Sequence, residues 1–257
     1  MKGIRLMIFK KKNAKEIDLS SLDMKKVVSD AKLQHIAFIM DGNGRWATNK
    51  GLPREAGHKV GVEAFRKIAN KCKEYGIKTI TIYAFSTENW SRPKNEVNEI
   101  MRLLDKYIAE AEKENEENRS RYYVLGDKDR LGDELKAKCE YLEDFTKNNP
   151  YVVNIALNYG GRDEIVRAAN KLIAEGKTEI TEEDISSHIF TSHCPDPDLI
   201  VRSGGEYRLS NFLMWQSAYS ELYFCDTLWP DMDDIDLRRA IVEFSKRKRR
   251  FGGVVNK

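Results

Sequence analysis

Apolar positions along this chain follow two different periods that take turns. Short runs rich in β-branched and aromatic residues read as strands: "HIAFIM" (35–40), "KTITIYAF" (78–85), "RYYVLG" (121–126), "YVVNIALNY" (151–159), "DLIVRS" (198–203) and "ELYFCDTL" (221–228). Between them the apolar residues recur at three and four, which predicts helices over 54–75, 94–117, 129–147, 162–175 and 233–249, and a shorter one over 181–190. Strand and helix alternating from about residue 35 predicts an α/β fold: one domain with a central parallel sheet of about six strands flanked by helices. No linker rich in Pro, Gly or Ser divides the chain and no repeat is present. The charge run "EAEKENEENRSR" reads as a solvated helix end.

One helix carries more information than the others. In "NEVNEIMRLLDKYIAEAEKE" the residues Val97, Ile100, Leu103, Leu104, Tyr107, Ile108 and Ala111 form a single stripe. Such a stripe packs on a sheet or lines an apolar channel, and the local pattern alone does not choose.

Composition narrows the function classes. The 257 residues are 41% hydrophobic, enough for a substantial core. Lys and Arg total 44 against 41 Asp and Glu, and a formal charge of +3 argues against a general nucleic-acid binder. Cys72, Cys139, Cys194 and Cys225 are widely spaced with no CxxC pair, which fits a reducing cytoplasm better than a zinc knuckle or a disulfide framework. The stretch "MKGIRLMIFKKKNAKE" is too short in apolar residues for a signal peptide, so residues 1–30 are expected to form an N-terminal arm, frayed at its start, ahead of a catalytic domain over 31–257. No apolar run approaches the roughly 20 residues of a bilayer span.

Ligands of open α/β sheets bind outside the carboxyl ends of the strands. Three such ends share an unusual composition: "DGNGRW" after the first strand, "STENWSR" after the second and "RSGGEYRLSN" at the fifth. Each sets arginine beside Gly, Ser or Asn, the donors that wrap phosphate oxygens. Arg45, Arg54, Arg92, Arg202 and Arg208 are therefore candidates for holding a diphosphate. Asp41, at the same cleft, is either a turn cap or the single carboxylate that Mg²⁺ needs when substrate phosphates and water complete its shell.

Other templates fail. GxxxxGK[ST], GxGxxG and GxSxG are absent, "DGNGR" lacks the spacing of a calcium loop, and "DMDDIDLRR" misses a DDxxD metal motif because its fifth position is Leu237.

Taken in order, "HIAFIMDGNGRWA", "REAGHKVG", "YAFSTENWSRP", "NYGGR", "DLIVRSGGEYRLSNFLMWQSAYSELYF" and "LWPD" resemble the cis-prenyltransferases, most closely the bacterial undecaprenyl diphosphate synthases, from about His35 to Gly253. The resemblance implies Mg²⁺-dependent condensation of isopentenyl diphosphate onto an allylic diphosphate primer, usually farnesyl diphosphate, by a homodimer whose apolar tunnel holds the growing cis chain. It implies a cytoplasmic enzyme with peripheral membrane contact for product release.

Carried over by position, Asp41 matches the aspartate that handles Mg²⁺ and the allylic diphosphate. Gly42, Asn43, Gly44, Arg45, Trp46, Arg54 and His58 match the primer-diphosphate site. Ser86, Thr87, Glu88, Asn89, Trp90 and Arg92 match a mobile segment that closes over the substrates, with Asn89 assigned to proton removal. Arg202, Arg208, Leu209 and Ser210 match the isopentenyl diphosphate clamp, and Glu221 a second metal or substrate ligand. Arg250 and Gly252 of "RRFGG" match an element that reaches a neighbouring subunit. The resemblance also assigns the stripe over 94–117 to the tunnel wall. A non-catalytic scaffold of the same fold is a rival that would be expected to lose Asp41 or the "GRW" loop. A phosphate-binding hydrolase is another, but the loops offer neither a nucleophile nor a second metal carboxylate.

Overall fold

The computed structural model describes residues 18–249. Among the described residues six strands form one sheet: β1 (His35–Ile39), β2 (Thr79–Ser86), β3 (Ser120–Leu125), β4 (Tyr151–Tyr159), β5 (Leu199–Arg202) and β6 (Glu221–Phe224), in the spatial order β3-β4-β2-β1-β5-β6. Every neighbouring pair is parallel. All five residues of β1 are buried, as a strand covered on both faces requires. The helices are α1 (Met24–Asp30), α2 (Asn43–Asn49), α3 (Arg54–Glu74), α4 (Lys94–Lys113), α5 (Asn115–Asn118), α6 (Asp133–Phe145), α7 (Gly161–Ala174), α8 (Glu182–His188) and α9 (Asp234–Ser245). The chain leaves β1 toward β2 and leaves β5 toward β6 on the opposite side, so the switch in direction lies between β1 and β5, where a crevice opens at the strands' carboxyl ends.

Side chains of α1, α3, α4, α6 and α9 build the main core on one face of the sheet. On the other, Phe212 and Leu213 pack against Ala37, Ile39, Ile200 and Tyr159. The six expected strands and six expected helices are present, with ends shifted by up to four residues. The expected 94–117 helix divides into α4 and α5, and two further short helices, α1 and α2, were not expected. Asp23 caps α1 by accepting from Lys26 N at 3.1 Å, and Met24 and Val28 bury their side chains in the main core. Arg238 on α9 donates to the carbonyls of Leu19 and Leu22. The expected fraying of Met1–Glu16 lies outside the described residues. The second, α2, hides in sequence because it has only seven residues and begins Asn-Gly after a left-handed Gly42 at φ 107°.

Near the cleft the β2–β4 ladder slips and recovers. Tyr83 pairs with Ala156 and Phe85 with Leu157, which leaves Ala84 as an extra residue; Ser86 then pairs with Tyr159, which leaves out Asn158. Asn158 takes φ 48°. The two bulges turn Tyr83 and Ala84 toward the cleft.

Below the sheet, at the strands' amino ends, the polar groups are satisfied in one chain. His35 Nδ1 lies 2.7 Å from Pro195 O and Nε2 2.7 Å from Thr81 Oγ1. A carbonyl only accepts, so Nδ1 carries the proton, Nε2 accepts from the Thr81 hydroxyl, and Thr81 accepts in turn from Asn154 Nδ2 at 2.9 Å. Burial pushes His35 down to about 4, only partly opposed by Pro195 O and Asp198. The folded value is depressed below the unfolded 6.5, so the unfolded chain binds the proton first and stability falls as pH drops from about 6.5 to 4. Urea unfolding of the parent across that window is expected to lose about 2 to 3 kcal/mol through this group, and a His35→Gln variant should be less stable at pH 7 with a flatter pH profile. An unchanged pH slope would refute the assignment.

Candidate active site

Asp41 follows β1 after one intervening residue, Met40, and Arg202 ends the adjacent strand β5 in register with Ile39. The parallel pairing therefore delivers a carboxylate and a guanidinium to one point. Arg202 Nη2 donates to Asp41 Oδ2 at 2.9 Å and Arg45 Nη2 to Oδ1 at 3.1 Å. Arg202 is almost fully buried, and its Nη1 donates to Ser210 Oγ at 2.9 Å and to the carbonyl of Arg208. Burial alone would raise the Asp41 carboxyl; Arg202 and then Arg45 override it and hold it below its usual value. Asp41 is thus ionised at neutral pH and fixed between two cations.

A second carboxylate organises the other side of the cleft, and sequence reasoning missed it. Glu96, in the first turn of α4, is 5% exposed. Its Oε1 accepts from Arg92 Nη1 at 3.1 Å, its Oε2 lies 3.5 Å from Arg54 Nε, and His58 Nε2 stands 3.5 Å from Oε1. Burial, then Arg92, lowers His58 below its ordinary value although Glu96 pulls it up. The only signal available was "RPKNE", an acid four residues after Arg92 on one helical face. Arg208 pairs with Glu206. All five candidate arginines therefore face a protein carboxylate.

Helix α2 reaches its position because α3 presents glycines to it. A Cβ on Gly57 would overlap the Asn43 carbonyl oxygen, and one on Gly61 the Asn43 side-chain oxygen. "REAGHKVG" thus lets α2 lie against α3, with His58 brought to the cleft wall and Arg54 beside it at Glu96.

Residues 86–92 form a helical turn (Thr87–Ser91) held by a reciprocal cap: Ser86 N donates to Asn89 Oδ1 at 3.2 Å. Trp90 Nε1 donates to the bulged Asn158 at 2.7 Å, and the Trp90 ring meets Phe85 edge-on. Below these polar groups a cavity of about 630 Å³ continues between α3, α4 and the sheet. Asp41, Asn43, His58, Ser86, Glu88, Asn89, Arg92, Arg202, Arg208 and Ser210 line its mouth; Val62, Phe65, Ile82, Ile100, Leu103, Leu104, Tyr107 and Ile155 line its depth. Of the α4 stripe, Ile100, Leu103, Leu104 and Tyr107 face the cavity while Val97, Ile108 and Ala111 pack in the core. The arrangement can hold a polyanionic head at the strand ends and an apolar tail beneath it.

A family model described as "Putative undecaprenyl diphosphate synthase" matches residues 39–252. The isoprenyl transferase of Fusobacterium nucleatum is 50% identical over 224 residues, covering 87% of this chain and 97% of that one. The isoprenyl transferase of Clostridium perfringens is 45% identical over 235 residues, covering 89% and 93%. Among solved structures, the lavandulyl diphosphate synthase of Lavandula x intermedia in complex with dimethylallyl diphosphate superposes with a TM-score of 0.83 at 34% identity, covering 87% of this chain and all of that one. A probable undecaprenyl diphosphate synthase of Campylobacter jejuni gives 0.75 at 39% identity, covering 86% and 99%. The chain belongs to the undecaprenyl diphosphate synthase family of cis-prenyltransferases.

In this prenyltransferase not every residue expected at the site lines the cleft. Gly42 and Gly44 shape the loop under Asp41: a Cβ on Gly42 would press on Leu228 and one on Gly44 on the Arg54 guanidinium. Trp46 turns away, donating from Nε1 to Asp231 at 2.6 Å, and Thr87 and Trp90 support the turn rather than form the wall. Leu209 borders a shallower neighbouring hollow with Arg162 and Met214. Glu221 is not beside Asp41. It pairs in register with Leu199, which pairs with Ile36, so it starts β6 level with the amino end of β1; Ile39 alone lies three residues, roughly 10 Å, higher. Its carboxylate instead takes Arg247 Nη1 at 2.7 Å. Asp41 and Glu221 are therefore held apart within this chain. Arg250 and Gly252 lie outside the described residues.

Proposed function

We propose that this prenyltransferase adds isopentenyl diphosphate units to an allylic diphosphate, farnesyl diphosphate as the primer, with Mg²⁺ as cofactor and undecaprenyl diphosphate, a lipid-carrier precursor for peptidoglycan, as product. The observation that carries the reading is Asp41 held between Arg45 and Arg202 at the mouth of a deep apolar cavity. In each cycle the allylic C–O bond breaks and its electron pair leaves on the diphosphate; the isopentenyl double bond forms the new C–C bond, and a proton is lost.

Negative charge grows on the leaving group. Arg45 and Arg54 are the fixed cations on the side assigned to it, and preorganised donors aimed at developing charge lower a barrier most. Arg202, Arg208 and Ser210 hold the second diphosphate. Asp41 suits Mg²⁺ as its one protein carboxylate, ionised and partly open to the cleft, with phosphate oxygens to complete the shell. When bound, the ion would neutralise diphosphate charge. Asn89 lines the mouth, but its amide oxygen already accepts from Ser86 N–H. An amide is a weak base, so diphosphate oxygens are the better proton acceptors and Asn89 orients the turn that carries Arg92.

Each added unit buries about five carbons, roughly 3 to 4 kcal/mol at 0.8 kcal/mol per CH₂, which favours retention of the growing tail. A Leu104→Trp change, filling the cavity at mid-depth, is expected to shift products to shorter chains while the first additions continue; an unaltered product distribution would remove α4 from length control. For the homodimer we assign the β6 edge, where Tyr207 and Tyr219 are 73% and 66% exposed. No helix among the described residues is long and apolar enough to cross a membrane, and contact during product release would be peripheral.

The deciding experiment extends farnesyl diphosphate with radiolabelled isopentenyl diphosphate, with and without Mg²⁺, and resolves products by length. A Mg²⁺-dependent ladder ending at the undecaprenyl product is expected. No incorporation by folded protein would overturn the reading.

A further inference from the structure

Between Arg202's partner Ser210 and the buried Leu213, the chain crosses a stretch of unusual backbone. Ser210, Asn211 and Leu213 adopt φ of 51°, 65° and 45°, a left-handed region that non-glycine residues occupy only where the surroundings insist. The consequence is the placement of one side chain. The Asn211 carbonyl accepts from Gly161 N at 2.7 Å and its Oδ1 from Arg162 N at 2.9 Å, which docks the residue on the first turn of α7. Its Nδ2 then points the other way and donates to Glu88 Oε1 at 2.9 Å.

Glu88 belongs to the Thr87–Ser91 turn, the turn that carries Asn89 and leads into Arg92. Ser210, the neighbour of Asn211, accepts from Arg202. One amide thus bridges the two segments that line opposite sides of the same mouth. Space at the junction is tight: a Cβ on Gly160 would fall 2.7 Å from Thr87 Oγ1 and 2.8 Å from Asn211 Nδ2. Glu88 is held below its ordinary value by Asn211 and nearby donors against the upward pull of burial, so Nδ2 meets a carboxylate and the bond is charge-assisted.

We propose that Asn211 is a positioning residue whose side-chain amide latches the 86–92 segment to the Arg202–Ser210 loop, so that Arg92 and the Arg202 clamp close on the substrates as one unit. It rests on the reaction proposed above only for the identity of those substrates. Rotation of the turn away from the mouth must break this bond, and a substrate bridging Arg92 and Arg208 finds both walls already in register. The α7 contacts keep Asn211 in place while the turn opens, since they involve Oδ1 and the main chain rather than Nδ2.

The test is a cycle on the single bond. Asn211→Asp keeps an oxygen for Arg162 N but sets a second oxygen against the Glu88 carboxylate; adding Glu88→Gln restores a donor facing an acceptor. Amide hydrogen exchange over 87–91 is expected to speed up at least tenfold in Asn211→Asp and to return toward the parent rate in the double variant, with melting temperatures of both near the parent. Incorporation kinetics should follow, with KM for isopentenyl diphosphate raised about tenfold in the single variant. Exchange rates unmoved in Asn211→Asp, or equally fast in the double variant, would overturn the latch. A parent that incorporates no isopentenyl diphosphate would sink the proposed reaction and leave the exchange result to judge the latch.

Discussion

Asp41→Asn is expected to lower kcat by at least 10³-fold while the melting temperature moves by only a few degrees, and Asp41→Ala to lose activity as completely but at a clear cost in stability. The two variants separate chemistry from architecture. Asp41 receives Arg202, whose side chain is only 4% exposed, and Arg45. Removing one partner of a buried ion pair leaves a charge uncompensated, typically at about 3 to 5 kcal/mol, though Asp41 itself is partly open and the loss should sit at the low end. Asparagine also removes the counter-charge, but it keeps a hydrogen-bond acceptor for one arginine and fills the same space, so the loop should lose less than with alanine. What it cannot do is bind a cation or keep both guanidiniums in place, and removal of a single preorganised electrostatic element commonly costs 10² to 10³ in rate. Two such roles in one group justify the larger figure. Single-turnover incorporation and thermal melting decide it; an Asn variant with near-parent turnover would refute the assignment of Asp41.

The architecture was largely legible because its signals are local. Buried parallel strands announce themselves as short apolar runs, and the arginine-rich junctions follow them directly. Asp41, Arg45 and Arg202 could be placed together once the strands were known to be parallel, because register alone carries Arg202 level with Ile39. What stayed hidden depends on pairs distant in sequence. Glu96 looks like a first-turn acid satisfying a helix dipole, yet it is the buried anion that gathers Arg54, His58 and Arg92. Asn211 looks like part of a loop, and neither its φ nor its partner 123 residues away is written in its neighbours. The bulges at Ala84 and Asn158 emerge only from the ladder. Glu221 was named from its place in a motif, and only the ladder shows that it starts β6 level with the amino end of β1, apart from Asp41.

Glu96→Ala is expected to reduce kcat/KM for the allylic diphosphate by about 10²-fold, and Glu96→Gln by about tenfold. Two effects oppose each other here. Glu96 competes with any bound anion for Arg54 and Arg92, so its removal makes the local potential more positive and by itself favours diphosphate. Against this, Arg54 is 53% and Arg92 36% exposed along their side chains, and once unanchored these long groups recover rotamer freedom worth up to about 2 kcal/mol each. They would also repel one another across the vacated space, with His58 beside them. Positioning wins, because a displacement of about 1 Å at a reacting group can cost 10²-fold in rate, whereas the extra attraction is screened at the open mouth. Glutamine retains an acceptor for Arg92 and so loses less. The discriminating measurement is equilibrium binding of inorganic diphosphate alongside kinetics: tighter diphosphate binding with a reduced kcat marks Glu96 as the residue that aims the arginines, while kinetics equal to the parent would show that they aim themselves.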